Sequence, residues 1–408
     1  MRIVFDARAV QERSDGMGHY ARHLLISLLR LDANNEYVVL LNRFFRDELA
    51  CRSLLDRPNV RAVLSPIPFL GPSQQVHIPR LLRQLPPADL YHYPHFDLPI
   101  AAHPNSVVTI YDLNQFSFSG YYDSLQPLKQ LYSFATTWLS LAKAHHVFVI
   151  SDWTKQQILS HFRWVDPQNI TVTYLCVSDA FQAPPEPEAV AAFRARRQLD
   201  RDRFILYVGT PRPHKNLARL FAAFARLRRE GIPHKLLLVG VPPEHVGVRR
   251  MISALQLDGS VRLLGYVADR ELSLAYRIAE VFAFCSLSEG FGIPLVEAMA
   301  SGVPIVTSNV GAMAEIVGES AVLVDPESVE SIAEGLSRVL DSEPLRRQLS
   351  ARGHERVQQF AWEATAQKTL EVYTRVAAKL GRCVSMGRDA AQDPHPLRER
   401  VADASFPL

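Results

Sequence analysis

Ser288-Glu289-Gly290-Phe291-Gly292-Ile293-Pro294-Leu295-Val296-Glu297-Ala298-Met299-Ala300-Ser301-Gly302-Val303-Pro304 follows a short apolar run, Val281–Cys285, and reads as a loop that opens a helix. Pro294 suits the first helical position, where its missing N–H is not needed, and Gly302 suits the stop. The glycines ahead of Pro294 let backbone approach a ligand closely. The exposed N–H groups and positive end of the helix then favour an anion such as a diphosphate. Glu289 in the loop and Glu297 in the helix can both face a cleft and accept from hydroxyl groups. On composition alone, the stretch equally fits a glycine turn before an ordinary helix with two surface carboxylates.

Two further stretches repeat the strand–loop–helix pattern. Leu206-Tyr207-Val208-Gly209-Thr210-Pro211-Arg212-Pro213-His214-Lys215-Asn216-Leu217 puts two cations before a helix. Arg212 can bind phosphate by its fork and Lys215 as a point charge. Asp6-Ala7-Arg8, then Asp15-Gly16-Met17-Gly18-His19-Tyr20, precedes a helix from Tyr20 to Leu31. It lacks the third glycine of a dinucleotide fingerprint, so a nicotinamide cofactor has little support.

Outward from these motifs, short apolar runs alternate with amphipathic segments, the pattern of parallel sheets wound by helices. The first half predicts strands at Arg2–Asp6, Tyr37–Asn42, Val60–Leu64, Asp89–His92, Val107–Tyr111, Val147–Ile150 and Thr171–Tyr174. The second predicts Phe204–Val208, Lys235–Val239, Val261–Leu264, Val281–Cys285, Pro304–Thr307 and Ala321–Val324. A proline-bearing stretch, Gln182-Ala183-Pro184-Pro185-Glu186-Pro187, separates the two series. The expected organisation is an acceptor-side domain over 1–183, a second doubly wound domain over 184–360, a helix over 361–380 and a disordered tail over 381–408. Leu217, Leu220, Phe221, Phe224 and Leu227 form one apolar helical stripe. Phe134, Trp138 and Leu141 read as the core face of another helix. Facing C-terminal strand edges would share one cleft.

The 408 residues suffice for two cores, and 48% hydrophobic with 21% charged residues is globular composition. A net charge of +3 is too small to argue for nucleic acid. The cluster Arg194, Arg196, Arg197, Arg201 and Arg203 reads as a solvated face. Four dispersed cysteines, Cys51, Cys176, Cys285 and Cys383, suggest neither zinc nor disulfides and fit a reducing cytoplasm. The apolar start Ile3-Val4-Phe5 is a first strand, not a leader, and no run approaches the roughly 20 residues of a membrane span. Attachment at the inner face of a membrane stays compatible with this.

Together the three motifs resemble the GT-B-fold retaining glycosyltransferases of family four, the glycosyl transferases group one, in order over about Arg2 to Tyr373. The likeness includes the Glu-x7-Glu element Glu289–Glu297, then Gly311-Ala312-Met313-Ala314-Glu315-Ile316-Val317, and Trp362 and Tyr373 of the terminal helix, which such proteins cross back onto the first domain. It implies that Glu289 touches the transferred sugar and Glu297 the ribose hydroxyls. The backbone of Gly290, Phe291, Gly292 and Ile293 would meet the diphosphate with Lys215 and Arg212. Gly209 belongs to that basic loop, Tyr266 and Val267 to a base-contacting turn, and Gly18 would approach the phosphates from the other domain. The Pro-His-Lys-Asn style of basic loop resembles bacterial mannosyltransferases of surface-polysaccharide pathways. The implied donor is therefore a GDP-sugar, GDP-mannose first, and the acceptor a glycan or lipid-linked oligosaccharide.

This sequence also departs from the family pattern. His214 stands where many relatives carry Arg, His19 follows Gly18 in place of Arg, and Tyr111-Asp112 replaces the usual His-Asp. Tyr111, Asp112 and His95 are the acceptor-side candidates. A metal site would need a third ligand beside His92 and His95, and no Asp-x-Asp motif stands in a strand-end loop, so no metal or other cofactor is expected. Lys215, Arg212 and the helix N-terminus can carry the leaving-group charge instead. The alternatives are another GT-B enzyme, such as an epimerase or phosphorylase, or a non-catalytic glycan-binding or partner subunit.

Overall fold

The computed structural model describes residues 1–10, 16–42, 53–103, 105–114, 126–182, 186–199 and 202–379. The expected tail over 381–408 and the core of the expected boundary, 183–185, lie outside the described residues. Among the described residues, thirteen strands alternate with helices. The first half runs β1 (Arg2–Ala7), α1 (Gly16–Leu31), β2 (Glu36–Asn42), β3 (Val60–Ser65), α2 (Gln74–Arg83), β4 (Leu90–Tyr93), β5 (Ser106–Ile110), α3 (Gln126–Lys143), β6 (His146–Val149), α4 (Asp152–His161), β7 (Ile170–Val172). The second runs α5 (Pro187–Arg196), β8 (Phe204–Val208), α6 (Leu217–Arg229), β9 (Lys235–Val239), α7 (Val246–Ala254), β10 (Val261–Gly265), α8 (Asp269–Arg277), β11 (Ala279–Phe284), α9 (Ile293–Ala300), β12 (Ile305–Ser308), α10 (Gly311–Val317), β13 (Ala321–Val324), α11 (Val329–Leu340), α12 (Glu343–Val357), α13 (Trp362–Lys379).

Every strand read from the sequence is present. They form two parallel sheets, ordered β3-β2-β1-β4-β5-β6-β7 and β10-β9-β8-β11-β12-β13. The central strands are buried on both faces because helices cover both, which is why they read as unbroken apolar runs. Strand order reverses between β1 and β4 and between β8 and β11, the places where open sheets leave a crevice beyond their C-terminal ends. The stripe Leu217, Leu220, Phe221, Phe224 and Leu227 is buried as expected.

Helix α13 returns to the first half. Trp362 stacks on His23 of α1 at 5.2 Å, Tyr373 packs edge-on against His92 of β4, and Thr365 Oγ1 donates to the Tyr174 carbonyl at 2.7 Å. One apolar core therefore runs from β1 through Phe291 to Tyr373. In the basic cluster, Arg196 and Arg197 share Glu271 and Arg203 pairs with Glu280, which offsets part of its charge; Arg201 lies outside the described residues.

Two local expectations are corrected. Helix α1 already includes Gly16, so Gly16 and Gly18 stand in its first turn rather than in a loop before Tyr20. In α3, Leu141 is buried, but Phe134 and Trp138 are each 48% exposed and form no core face. Ser133, Thr136, Thr137 and Ser140 face inward instead. Two of these hydroxyls bond backbone there: Thr136 Oγ1 donates to the Tyr132 carbonyl at 2.9 Å, and Leu98 N–H donates to Ser140 Oγ at 3.1 Å.

Candidate active site

The basic loop and the acidic loop of the second sheet are tied to each other before they form any site. Leu287 N–H donates to the His214 carbonyl at 2.8 Å. Asn216, left-handed at φ 60°, ends the short turn Pro213–Lys215, and its Nδ2 donates to the carbonyls of Cys285 at 2.9 Å and Pro326 at 2.7 Å. Asn tolerates that conformation better than most residues, so the turn can present Lys215 without a glycine. Lys215 Nζ then meets Glu289 Oε1 at 2.7 Å, both side chains largely shielded, and lies 5.1 Å from the centre of the Phe284 ring. Burial lowers the neighbouring His214 to about 4, so it is a neutral neighbour of Lys215.

Gly292 has φ 90° and caps α9, a conformation that L side chains adopt at a cost of about 1–2 kcal/mol. Ile293 takes the first helical position and Pro294 the second, one place later than the sequence suggested. Gly302 ends the helix as expected: it has φ 71°, its N–H bonds the Met299 carbonyl at 3.1 Å, and Val303 N–H reaches that of Ala298 at 2.9 Å. Glu297 faces the cleft from α9, accepting from the Tyr276 hydroxyl of α8 at 2.8 Å. Burial raises its carboxyl to about 7 despite that bond.

Gly290 is a point where the two halves approach closely. A Cβ built there would stand 2.1 Å from the Tyr111 carbonyl oxygen and 2.8 Å from Asp112 Cβ. The Gly290 carbonyl accepts from Ser151 Oγ at 2.6 Å and from Thr154 Oγ1 at 3.3 Å. Beside it, Ser288 Oγ donates to Asn114 Oδ1 at 2.7 Å. The Glu315 carboxylate of α10 accepts the N–H groups of Asp152 at 2.9 Å and Trp153 at 2.8 Å, capping α4 across the cleft.

These contacts enclose a cavity of about 420 Å³ between the sheet edges. Its wall brings together Lys215, Glu289, Gly290, Phe291, Gly292, Ile293 and Glu297 from the second half with Tyr111 and Asp112 from the first. Asp112 is raised by burial and by the Glu289 charge, while its Oδ1 accepts Asn114 N–H at 2.9 Å. Tyr111 lines the wall, but its hydroxyl donates to the Pro94 carbonyl at 2.7 Å, so its donor is already committed within the first domain.

Other predicted positions lie elsewhere. His95 is fully buried: Asp97 N–H donates to its Nδ1 at 3.1 Å, leaving Nε2 as the donor to Asp6 at 3.3 Å beside Arg8. It is a core histidine, because a buried Asp6–Arg8 pair needs every remaining lone pair satisfied. Arg212 is exposed and outside the cavity wall, although its charge reaches Asp112 and His214. Gly209 packs on backbone, where a Cβ at Gly240 would meet its carbonyl at 2.9 Å. Tyr266 is 65% exposed, Val267 is buried, and Gly18 is buried in α1; none is on the wall.

Sequence reasoning missed two ionisable residues of the wall, His19 and Asp269. His19 Nε2 is buried with no hydrogen-bond partner among the described residues, and burial lowers its pKa. The only signal was its place directly after Gly18. Asp269 opens α8 and raises Glu297 by its charge; nothing in its sequence neighbourhood marked it. Among the described residues no group of His, Cys, Asp and Glu converges as metal ligands, and no helix is long and apolar enough to cross a membrane.

Comparison with known proteins bears on family and fold. The family described as Glycosyl transferases group 1 matches residues 191–356, and Glycosyltransferase Family 4 matches residues 14–181. The chain is 31% identical over 289 residues to the O-antigen chain mannosyltransferase B of Escherichia coli, covering 70% of this chain and 74% of that one. It is 35% identical over 231 residues to the MMP alpha-(1->4)-mannosyltransferase of Mycolicibacterium hassiacum, covering 53% and 56%. A solved sucrose-phosphate synthase from Thermosynechococcus elongatus superposes with a TM-score of 0.71 at 22% identity, over 93% of this chain and 99% of that one. That last likeness concerns the fold, GT-B.

Proposed function

Because the chain belongs to the glycosyl transferases group 1 family and is a hexosyltransferase, we propose that it transfers mannose from GDP-mannose, with retention, to a glycan or lipid-linked acceptor in polysaccharide biosynthesis. One observation carries the donor assignment: the Lys215–Glu289 pair stands on the wall that also holds the N-terminus of α9. A diphosphate at that N-terminus competes with Glu289 for Lys215 and frees the carboxylate to accept from sugar hydroxyls. Lys215 and the helix N–H groups then oppose the charge that grows on the leaving diphosphate, so no metal is assigned a step. The mannosyl and polysaccharide assignments rest on the names of the two relatives.

Departure of the diphosphate and attack of the acceptor hydroxyl take place on one face of the sugar, and no side chain is assigned as nucleophile. Asp112, raised by burial and set across from Glu289, is the residue of the first half best placed to receive the acceptor proton. A glycosyl adduct trapped on Glu289 or Asp112 and located by mass spectrometry would overturn this scheme.

Thermal-shift titration with GDP-mannose, UDP-glucose, dTDP-glucose and ADP-glucose tests the donor. A ligand at 100 times its Kd adds about 2.7 kcal/mol, which moves the melting point by degrees. GDP-mannose is expected to give the largest shift without added metal and with chelator present. A larger shift from a uridine donor, or dependence on a divalent ion, would reassign it. NMR of the product anomeric proton reads retention.

Donor affinity should also depend on pH through Glu297. Its carboxyl, raised to about 7 by burial, is mostly neutral below that pH and ionised above it. If ribose hydroxyls donate to it, affinity rises as pH rises through 7 and then levels. Stability runs the other way. The ionised unfolded chain gains on the protonated fold between 4.5 and about 7, so stability from this group is lost across that window. Glu297→Gln should flatten the affinity profile, weaken donor binding, and melt higher than the parent protein at pH 8. Calorimetric Kd values with a pH profile unchanged by the substitution would remove Glu297 from the donor site.

A further inference from the structure

The first turn of a helix leaves N–H groups without intrahelical partners. In α4 one of them is satisfied from within: Thr154 N–H donates to Oγ of the capping Ser151 at 3.0 Å. The two ahead of it are satisfied by the other half of the molecule. Asp152 N–H donates to Glu315 Oε1 at 2.9 Å and Trp153 N–H to Glu315 Oε2 at 2.8 Å, so each carboxylate oxygen takes one donor. A carboxylate at the positive end of a helix makes charge-assisted bonds, stronger than those between neutral groups.

The surroundings fix this contact and leave the carboxylate to α4. Arg356 of α12 holds α10 by its backbone, donating to the carbonyls of Glu315 at 2.7 Å and Ile316 at 3.0 Å, and its third nitrogen donates to Gln359. At the start of α10, a Cβ built on Gly311 would stand 3.4 Å from Trp153 Nε1, so the two helices touch there as well. The exposed Asp152 carboxylate is a like charge beside Glu315. Tyr174 stands next to both, its hydroxyl donating to Asp152 Oδ2 at 3.2 Å and raised by burial and by the two charges. Lys368 lies 6.0 Å from the centre of the Tyr174 ring. That ring packs 6.1 Å from the ring of Phe291 on the cavity wall, so the contact reaches the loop that carries Glu289.

We infer that Glu315 is the clamp of the closed arrangement: seated on the N-terminus of α4, its carboxylate holds the two halves at the separation at which Asp112 and Glu289 line one cavity. Glu315 is off the cavity wall and is a positioning residue. Opening the cleft exchanges its two bonds for water. Removing them shifts the balance from closed toward open by roughly tenfold, the low end for charge-assisted bonds, because the Asp152 side is exposed. The effect on transfer rests on the function proposed above; the effect on the shape of the molecule does not.

Small-angle scattering and transfer kinetics on the full chain test the clamp. Glu315→Ala is expected to raise the radius of gyration and to lower kcat roughly three- to tenfold, as the closed fraction falls, with donor Kd near that of the parent. Glu315→Gln, which keeps one uncharged acceptor oxygen, should fall between. Across the cleft, Asp152→Pro removes one donor at the first helical position, where proline is tolerated after the extended Ser151. Asp152→Ala keeps that N–H and serves as its control. Glu315→Ala with Asp152→Pro should do no more than Glu315→Ala with Asp152→Ala, because the same contact is already lost. High salt should expand the parent and leave Glu315→Ala unchanged.

An unchanged radius of gyration in Glu315→Ala overturns the clamp, as do additive losses in the double variant. Unchanged kcat in an expanded variant overturns the positioning role, and a weakened donor Kd without expansion would make Glu315 a donor contact instead. If circular dichroism shows Glu315→Ala misfolded, Glu315→Gln and Asp152→Pro carry the same comparisons. A parent that transfers no sugar would remove the proposed function, while the scattering comparison still decides the clamp.

Discussion

Lys215→Ala is expected to lower kcat for sugar transfer by two to three orders of magnitude, with a smaller change in donor KM. A single preorganised group that opposes charge developing in the transition state is typically worth about 3–4 kcal/mol, and Lys215 stands on the cavity wall beside the α9 N-terminus. The lysine charge also compensates Glu289, so the alanine variant leaves a shielded carboxylate without its partner. Glu289→Gln separates the two effects: it leaves Lys215 charged but weakens the contact with the sugar. Arg212→Ala provides the contrast. Its side chain is exposed and off the wall, so a loss below about tenfold is expected. Transfer rates with the donor saturating would decide it; equal losses at Lys215 and Arg212 would contradict the geometry that distinguishes them.

Gly290→Ala should be as damaging through a different route. The new methyl group would lie 2.1 Å from the Tyr111 carbonyl oxygen, a backbone atom that cannot turn aside like a flexible side chain. The two halves must then separate, and the bonds from Ser151 and Thr154 to the Gly290 carbonyl lengthen or break. Displacing Glu289 from the groups across the cleft by about 1 Å can cost roughly a hundredfold in rate. Donor binding, built mainly on the second half, should fall much less. A kcat loss of at least that size, with a larger radius of gyration by small-angle scattering and near-parental donor Kd, is the expected combination. Parental activity would mean that closure at Gly290 does not set the position of Glu289.

Much of this was legible from local sequence. The strands could be read because a sheet covered on both faces needs continuous apolar runs of strand length, and these stand out between amphipathic helices. Lys215, Glu289, Gly292 and Glu297 could be found because each depends on a loop fewer than ten residues long, with glycine or proline marking its turns. Where the reading failed, the deciding contact was distant in the chain. His95 read as an acceptor-side candidate, but its Nε2 is bound to Asp6, 89 positions away. Tyr111, another acceptor-side candidate, has its hydroxyl committed to the Pro94 carbonyl. Helix α3 shows the same limit in its periodicity, which marks an apolar face without saying that hydroxyls would be the ones turned inward.

Two parallel sheets, a terminal helix and a pair of glycine- and proline-bearing loops ahead of helices follow from periodicity and turn chemistry over short spans of the chain. Which side chains share the cavity depends on packing between remote segments. Arg212 and Lys215 belong to one short loop, yet the left-handed Asn216, held by the Cys285 and Pro326 carbonyls, places Lys215 on the wall while Arg212 stays in solvent. His19 and Asp269 joined them from opposite halves. The physical reason is that a cavity wall is a set of distances, and distances between remote segments are fixed by how the two sheets and α13 pack, which no local pattern encodes.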